Sequence, residues 1–222
     1  MMRVLIAYYH QIDEREHLEV NITGYDAIVG CEFSGRVREA LRSRGVNAVS
    51  IDILPSEDNS PHHIQSDVTP FLSMRWRLGI FHPPCTYLAN SGVRWRVERK
   101  EWEQIRGAAD FFLACLNSNA PRVAVENPVM HRYGRDAIGG RRPDFTAQPW
   151  QFGDPAKKRT CFWTRGLPPL RPTSDMTATD ARADCHLAPP GPDRWKNRSR
   201  TYPGIADAMA SQWSIDEQGN DG

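Results

Sequence analysis

Apolar and polar residues alternate in two distinct periods along the first half of the chain. Short apolar runs at Arg3–Ala7, Asp26–Cys31, Ala48–Ile53, Leu78–Phe81 and Arg122–Glu126 have the length of buried strands. Between them, Arg36–Arg44 and Arg99–Leu116 place apolar residues three and four apart, the period of a helix with one buried face. Strand, helix, strand, helix predicts an α/β protein: a doubly wound sheet with helices on both faces.

Beyond Gly134 the pattern loosens. Gly139–Arg142 (GGRR) and the proline-rich Leu167–Pro172 read as loops, and Phe162–Trp163 lies within a strand. The stretch Pro172–Arg200 is polar and turn-rich, which predicts an irregular insertion or a poorly ordered surface. Ile205–Trp213 resumes a helix, and Asp216–Gly222 reads as a frayed tail. The expected organisation is one domain over residues 1–216, with 165–200 as a short insertion and 217–222 as tail.

Composition narrows the setting without naming a partner. The 28 basic and 27 acidic side chains among 222 residues leave a formal charge of +1, which neither demands nor excludes nucleic acid. Five cysteines without regular spacing argue against a disulfide framework and for a reducing cytoplasm. The opening run MMRVLIAYYHQ is too short for a signal peptide or a membrane span, so no membrane association is expected. His82, Cys85, Cys185 and His186 are conceivable zinc ligands, but the adjacency of the last two is awkward for tetrahedral coordination, and no metal is expected. His62–His63 reads as part of a surface loop.

Four constellations carry chemistry. IVGCEFSGRVREAL runs a strand through a small-residue turn into a helix, where backbone N–H groups can approach a ligand; a glycine in such a turn also has a purely structural use. VSIDILP ends a strand in Asp52, where doubly wound folds commonly bond ribose hydroxyls; Asp67 follows in HHIQSDVTPFL, and either acid could instead cap a turn. IFHPPCTYLANSG ends a strand in two prolines that stiffen the loop holding Cys85, a candidate nucleophile, or an inert thiol if nothing pairs with it. RVAVENPV ends a strand in Glu126, a candidate proton donor to that chemistry.

Taken in chain order, these segments resemble the cytosine-5 DNA methyltransferase family. EFSG (Glu32–Gly35) resembles its first cofactor motif; Asp52 and Asp67 fall where its second and third motifs place acids. Pro83-Pro84-Cys85 resembles its catalytic loop, and Glu126-Asn127-Pro128 its ENV motif. FGDPAKKRTCFW (Phe152–Trp163) resembles its Gln-x-Arg-x-Arg segment, and TYPGIADAMASQW (Thr201–Trp213) its last motif. The resemblance implies a Rossmann-like methyltransferase sheet and S-adenosylmethionine as cofactor, held by Phe33, Ser34, Gly35, Asp52, Ile53, Asp67, Val68 and Pro83. It implies Cys85 as nucleophile toward cytosine, with Glu126, Pro84, Asn127 and Arg159 as further catalytic residues. The implied partner is DNA, as a duplex with the cytosine flipped out or as a single strand, contacted by Arg94, Arg96, Lys157 and Lys158. A monomer in the cytoplasm of a bacterium or phage-infected cell is expected.

The sequence also departs from the family pattern. Arg36, Val37 and Arg38 stand where further glycines are usual, His82 where a small or polar residue is usual, and Thr86 where glutamine is usual. Only Arg165–Arg200 is available for target recognition, too short for a second core. Two basic runs with interleaved tryptophans are candidate nucleic-acid contacts: Arg94, Arg96, Arg99, Lys100 and Arg106 with Trp95 and Trp102, and Arg194, Lys196, Arg198 and Arg200 with Trp195. The alternatives are an amino-group methyltransferase, which carries an aromatic residue after its proline pair, and a catalytically silent nucleic-acid-binding protein.

Overall fold

A computed structural model of the chain describes Ile22, residues 24–183 and residues 194–215. The predicted strand Arg3–Ala7, the pair Cys185–His186 and the predicted tail Asp216–Gly222 lie outside the described residues. Seven strands form one sheet: β1 (Ala27–Gly30), β2 (Ala48–Asp52), β3 (His63–Gln65), β4 (Leu78–Phe81), β5 (Arg122–Pro128), β6 (Phe145–Ala147) and β7 (Thr160–Arg165). Their order is β3-β2-β1-β4-β5-β7-β6. The first five run parallel, and β7 is antiparallel to both β5 and β6. This is a Rossmann-like, doubly wound α/β sheet, with β1 and β4 adjacent at the point where the strand order reverses.

Period-two alternation along the strands builds two cores. Ala27, Val29, Leu78, Ile80, Ala124 and Phe162 face one side, against α1 (Arg36–Arg42) and the C-terminal helix Pro203–Gln212. Ile28, Val49, Ile51, Phe81, Val125 and Trp163 face the other, against the helix Trp102–Leu116 through Ala109, Phe112 and Cys115. In chain order the helices are α1, α2 (Val93–Glu98), α3 (Trp102–Leu116), α4 (Arg132–Ala137), α5 (Arg194–Ser199) and α6 (Pro203–Gln212).

Several boundaries differ from expectation, each for a local reason. The helix predicted from Arg99 begins only at Trp102, because Lys100 adopts a left-handed conformation (φ 54°) that separates α3 from the shorter α2 before it. The helix predicted to Arg44 stops at Arg42, where Gly45 (φ 82°) turns the chain. The strand predicted to end at Glu126 continues to Pro128, since β7 pairs with it through Asn127↔Cys161 and Pro128↔Thr160. His63 lies not in a surface loop but in β3: its ring bridges the Ser50 hydroxyl (2.8 Å) and the Leu54 carbonyl (2.9 Å). Residues 172–183 are irregular apart from a turn and a single bridge, but Arg194–Ser199 forms a helical turn within the stretch expected to be irregular.

Candidate active site

The carboxyl ends of β1, β4 and β5 surround a cavity of about 100 Å³. Its walls hold Cys31, Glu32, Phe33 and Ser34 from the turn after β1, and His82 to Cys85 from the loop after β4. Glu126, Asn127 and Pro128 of β5, Lys158 ahead of β7, and Arg198, Ser199 and Thr201 from the C-terminal segment complete it.

The turn after β1 is fixed by a buried carboxylate. Glu32 accepts the N–H groups of Val37 (2.7 Å) and Arg38 (3.3 Å), so its side chain caps the first turn of α1. Burial pushes its carboxyl above the ordinary range. Gly35 precedes α1 with φ 70°, and a Cβ there would collide with the Arg38 guanidinium and the Asp58 carboxylate. Arg38 is fully buried and donates to the Ser50 hydroxyl (2.7 Å), Glu39 (2.9 Å) and Asp58. Of the bulky residues after EFSG, Val37 and Arg38 therefore turn inward, while Arg36 is exposed and donates to the Thr201 carbonyl (2.8 Å).

The loop after β4 is held from several sides. Asn127, itself buried, donates from Nδ2 to the Pro83 carbonyl (3.0 Å), tying the end of β5 to the loop. The Cys85 carbonyl accepts from Leu88 (3.1 Å) and Ala89 (2.8 Å). His131 accepts from Gly134 through Nδ1, which leaves Nε2 to donate to the Tyr87 carbonyl (2.8 Å). A thiol carried by such a loop has little positional freedom.

Electrostatics group the cavity residues further. Burial raises the Cys85 thiol above the ordinary thiol value and the charge of Glu126 raises it more, while Lys158 and Arg198 oppose them. Glu126 is largely enclosed, yet its carboxyl is held below the ordinary value by a hydrogen bond from His82 and the charge of Lys158. His82 Nδ1 lies 3.1 Å from Glu126 Oε2. Lys158 Nζ donates to the Arg198 carbonyl (2.7 Å), which anchors the C-terminal segment over the cavity. Trp195 of α5 packs on Phe33 with ring centroids 6.1 Å apart.

Of the residues singled out from the sequence, Phe33, Ser34, Pro83, Pro84, Cys85, Glu126, Asn127 and Lys158 line this cavity. Gly35 borders it in the chain. Asp52, at the end of β2, and Asp67 both lie near enough to Cys31 to raise its thiol, after burial and Cys115. Each also serves its own turn: Asp52 Oδ1 accepts from Leu54 (2.9 Å), and Asp67 Oδ1 accepts from Thr69 N–H and hydroxyl (2.8 Å each). Val68 is core, packed with Phe71, and Ile53 sits in the turn after β2. Arg94 on α2 is 81% exposed and pairs with Glu98. Arg96 instead is largely enclosed, bonded to Glu101 (2.8 Å) and stacked over Tyr87. Arg159 is exposed, and neither it nor Lys157 lines the cavity.

Sequence reasoning did not assign roles to Cys31, Glu32, His82, Arg198, Ser199 or Thr201 in the site. His82 carried a signal in its departure from the family pattern, and Arg198 in the second basic run; the others carried none beyond their motifs. Among the described residues, no group of three or more His, Cys, Asp or Glu side chains is arranged to hold a metal ion, and no helix is long and apolar enough to cross a membrane.

No protein-family model matches the chain, and no curated protein matches it. Solved structures similar to it include one described as a DNA modification methyltransferase encoded within a prophage of E. coli, with TM-score 0.47 and 13% identity, covering 69% of this chain and 52% of that one. The Entamoeba histolytica methyltransferase EhMeth follows with TM-score 0.40 and 15% identity, covering 65% and 53%. The S. pombe Dnmt2 methyltransferase has TM-score 0.39 and 14% identity, covering 64% and 50%. The matched region thus spans about half the length of each of these structures.

Proposed function

We propose that the chain transfers a methyl group from S-adenosylmethionine to carbon 5 of cytosine in DNA, with Cys85 as the nucleophile. The observation that carries this reading is the meeting of Cys85 and Glu126 on one cavity, although 41 residues apart in sequence, at the carboxyl ends of adjacent parallel strands. Ligands of doubly wound sheets bind at this edge, beside the switch in strand order.

The residues present suit the cofactor. The left-handed turn at Gly35, the Phe33 ring and the Asp52 carboxyl would hold its nucleoside, and the buried carboxyls of Glu32 and Asp52 suit a cationic ligand. When bound, S-adenosylmethionine supplies an electrophilic methyl group on a sulfonium centre.

Carbon 5 of cytosine is a poor nucleophile while the ring is aromatic. The Cys85 thiolate forms a bond to carbon 6, and the ring electrons shift so that carbon 5 becomes enamine-like. Glu126 supports the charge that develops at ring nitrogen 3 by giving it a proton. Loss of the carbon 5 proton then expels Cys85 and restores the ring. Lys158 and Arg198 aid the thiolate against burial.

The ring face of a paired cytosine is covered by its neighbours, so the base must leave the stack or arrive unpaired. The exposed Arg94 and Trp95 (57% exposed) on α2 follow directly on the catalytic loop and suit phosphate and base contacts.

The test incubates purified protein with labelled S-adenosylmethionine and unmodified duplex or denatured DNA, then digests to nucleosides and identifies the product by mass. The expected product is 5-methyldeoxycytidine from the parent and none from Cys85→Ala, which should still bind cofactor. A Cys85→Ala protein methylating at the parent rate would overturn the assignment of the nucleophile.

A further inference from the structure

The mechanism above leaves one proton without a source. Ring nitrogen 3 must receive a proton from Glu126, yet the carboxyl of Glu126 is held below its ordinary value by His82 and Lys158, so in the free protein it is ionised at neutral pH. An ionised carboxylate only accepts hydrogen bonds. The nearest side chain able to refill it is His82, whose Nδ1 stands 3.1 Å from Glu126 Oε2.

His82 is built into this position. Its side chain is 7% exposed, its backbone N–H donates to the Gly30 carbonyl (2.9 Å), and it lines the same cavity as Cys85 and Glu126. Nε2 is buried with no hydrogen-bond partner among the described residues, although buried ring nitrogens are nearly always paired. A polar atom left unmatched on a cavity wall is a group reserved for what enters the cavity.

Resting on the proposed reaction, we propose that His82 is the positioning and proton-supplying partner of Glu126: the pair shares one proton between Nδ1 and Oε2 and delivers it to the base. As Cys85 bonds to carbon 6, Glu126 gives a proton to ring nitrogen 3, and the Nδ1 proton of His82 passes to Glu126. The ring gains one proton and the pair loses the shared one, leaving His82 neutral with its remaining proton on Nε2. When Cys85 is expelled, nitrogen 3 returns its proton to Glu126, and Glu126 returns one to Nδ1. The carbon 5 proton leaves to solvent.

Charged groups face His82 from several elements. Glu32, at the end of β1, and Asp52, at the end of β2, are both near enough for its charge to lower their carboxyls. Glu126 faces it from β5, and Lys158, ahead of β7, acts on the same Glu126 carboxylate. Cys85 lies on its own loop. Two further carboxyls and one lysine thus surround the pair.

The experiment compares kcat and KM for 5-methyldeoxycytidine formation across pH in the parent, His82→Asn and His82→Gln. Asn places an amide N–H where Nδ1 stood but cannot exchange a proton. The expected result is a kcat lower by about tenfold to a hundredfold in His82→Asn, a KM for DNA changed little, and loss of the parent's decline in kcat on the alkaline side. A His82→Asn protein with the parent's kcat and pH profile overturns the relay while leaving the reaction standing. A parent that makes no 5-methyldeoxycytidine overturns both. Nitrogen-15 spectra of the imidazole in the unsubstituted protein give a readout free of folding effects. A ring protonated on both Nδ1 and Nε2 supports the relay, and a neutral ring, which could not give up its one proton without becoming an imidazolate, overturns it.

Discussion

Asp52 ends β2 with its carboxyl raised to about 6, because burial removes the water that would solvate its charge, and a backbone bond from Leu54 and the charge of His82 recover only part of that loss. A group whose folded-state value lies above its unfolded value of 3.8 binds a proton more tightly when folded. Its favourable contribution is complete below the unfolded value and is lost as pH rises toward 6. At pH 7.5 the ionised Asp52 therefore costs up to about 3 kcal/mol of stability. Asp52→Asn, which keeps an oxygen for the Leu54 N–H, should raise urea stability by up to that amount at pH 7.5, with the gain fading below about pH 4. If Asp52 meets the cofactor's ribose, the same variant should bind S-adenosylmethionine more weakly by calorimetry, a trade of stability for function. Equal stability at both pH values would show that the carboxyl is not desolvated in solution.

Helices and turns fix where these residues stand. Helix α6 begins at Pro203 against the turn Pro149–Phe152, and the Gly204 N–H donates to Asp154 (2.8 Å). A Cβ on Gly204 would collide with the backbone carbonyl of Phe152, an atom that cannot rotate aside. Gly204→Ala should therefore cost about 2–3 kcal/mol in denaturant unfolding, in the range of overpacked sites. Because α6 packs on α1, the variant should also loosen the turn after β1 and weaken cofactor binding. A variant as stable as the parent would mean that α6 shifts freely over that turn. Period-based reasoning found the helix here, but the close approach of Gly204 to Phe152 joins residues 52 apart and leaves no local pattern.

At the scale of the whole molecule, the C-terminal segment returns to roof a cavity built by the first half of the chain. Arg200 grips Glu57 through two bonds (2.8 and 2.5 Å), Arg36 donates to the Thr201 carbonyl (2.8 Å), and Lys158 holds Arg198. The Arg200 guanidinium keeps the Glu57 carboxyl below its ordinary value, so this contribution is present above that value and is lost as pH falls through the lowered one. The pair is partly exposed, hence worth at most about 1 kcal/mol. Glu57→Gln should accelerate amide exchange across residues 194–200 by up to about fivefold, leaving β5 unchanged. No change there would show that other contacts hold the segment. The alternation of apolar runs by itself determined the sheet class and four of its strands to within one or two residues, because strand and helix periods are local properties of the chain. The motifs likewise singled out Cys85 and Glu126, since the thiol, the prolines and the acid that the chemistry requires are visible one residue at a time. Strand β3, where the short HIQ pairs at the edge of the sheet, left no period to detect. Which side chains meet was decided only by tertiary structure. The adjacency of β4 and β5 brings His82 to Glu126, the antiparallel β7 delivers Lys158, and the returning segment supplies Arg198. Such contacts depend on the three-dimensional order of the strands, and hydrophobic patterning, which specifies faces and periods, does not encode that order.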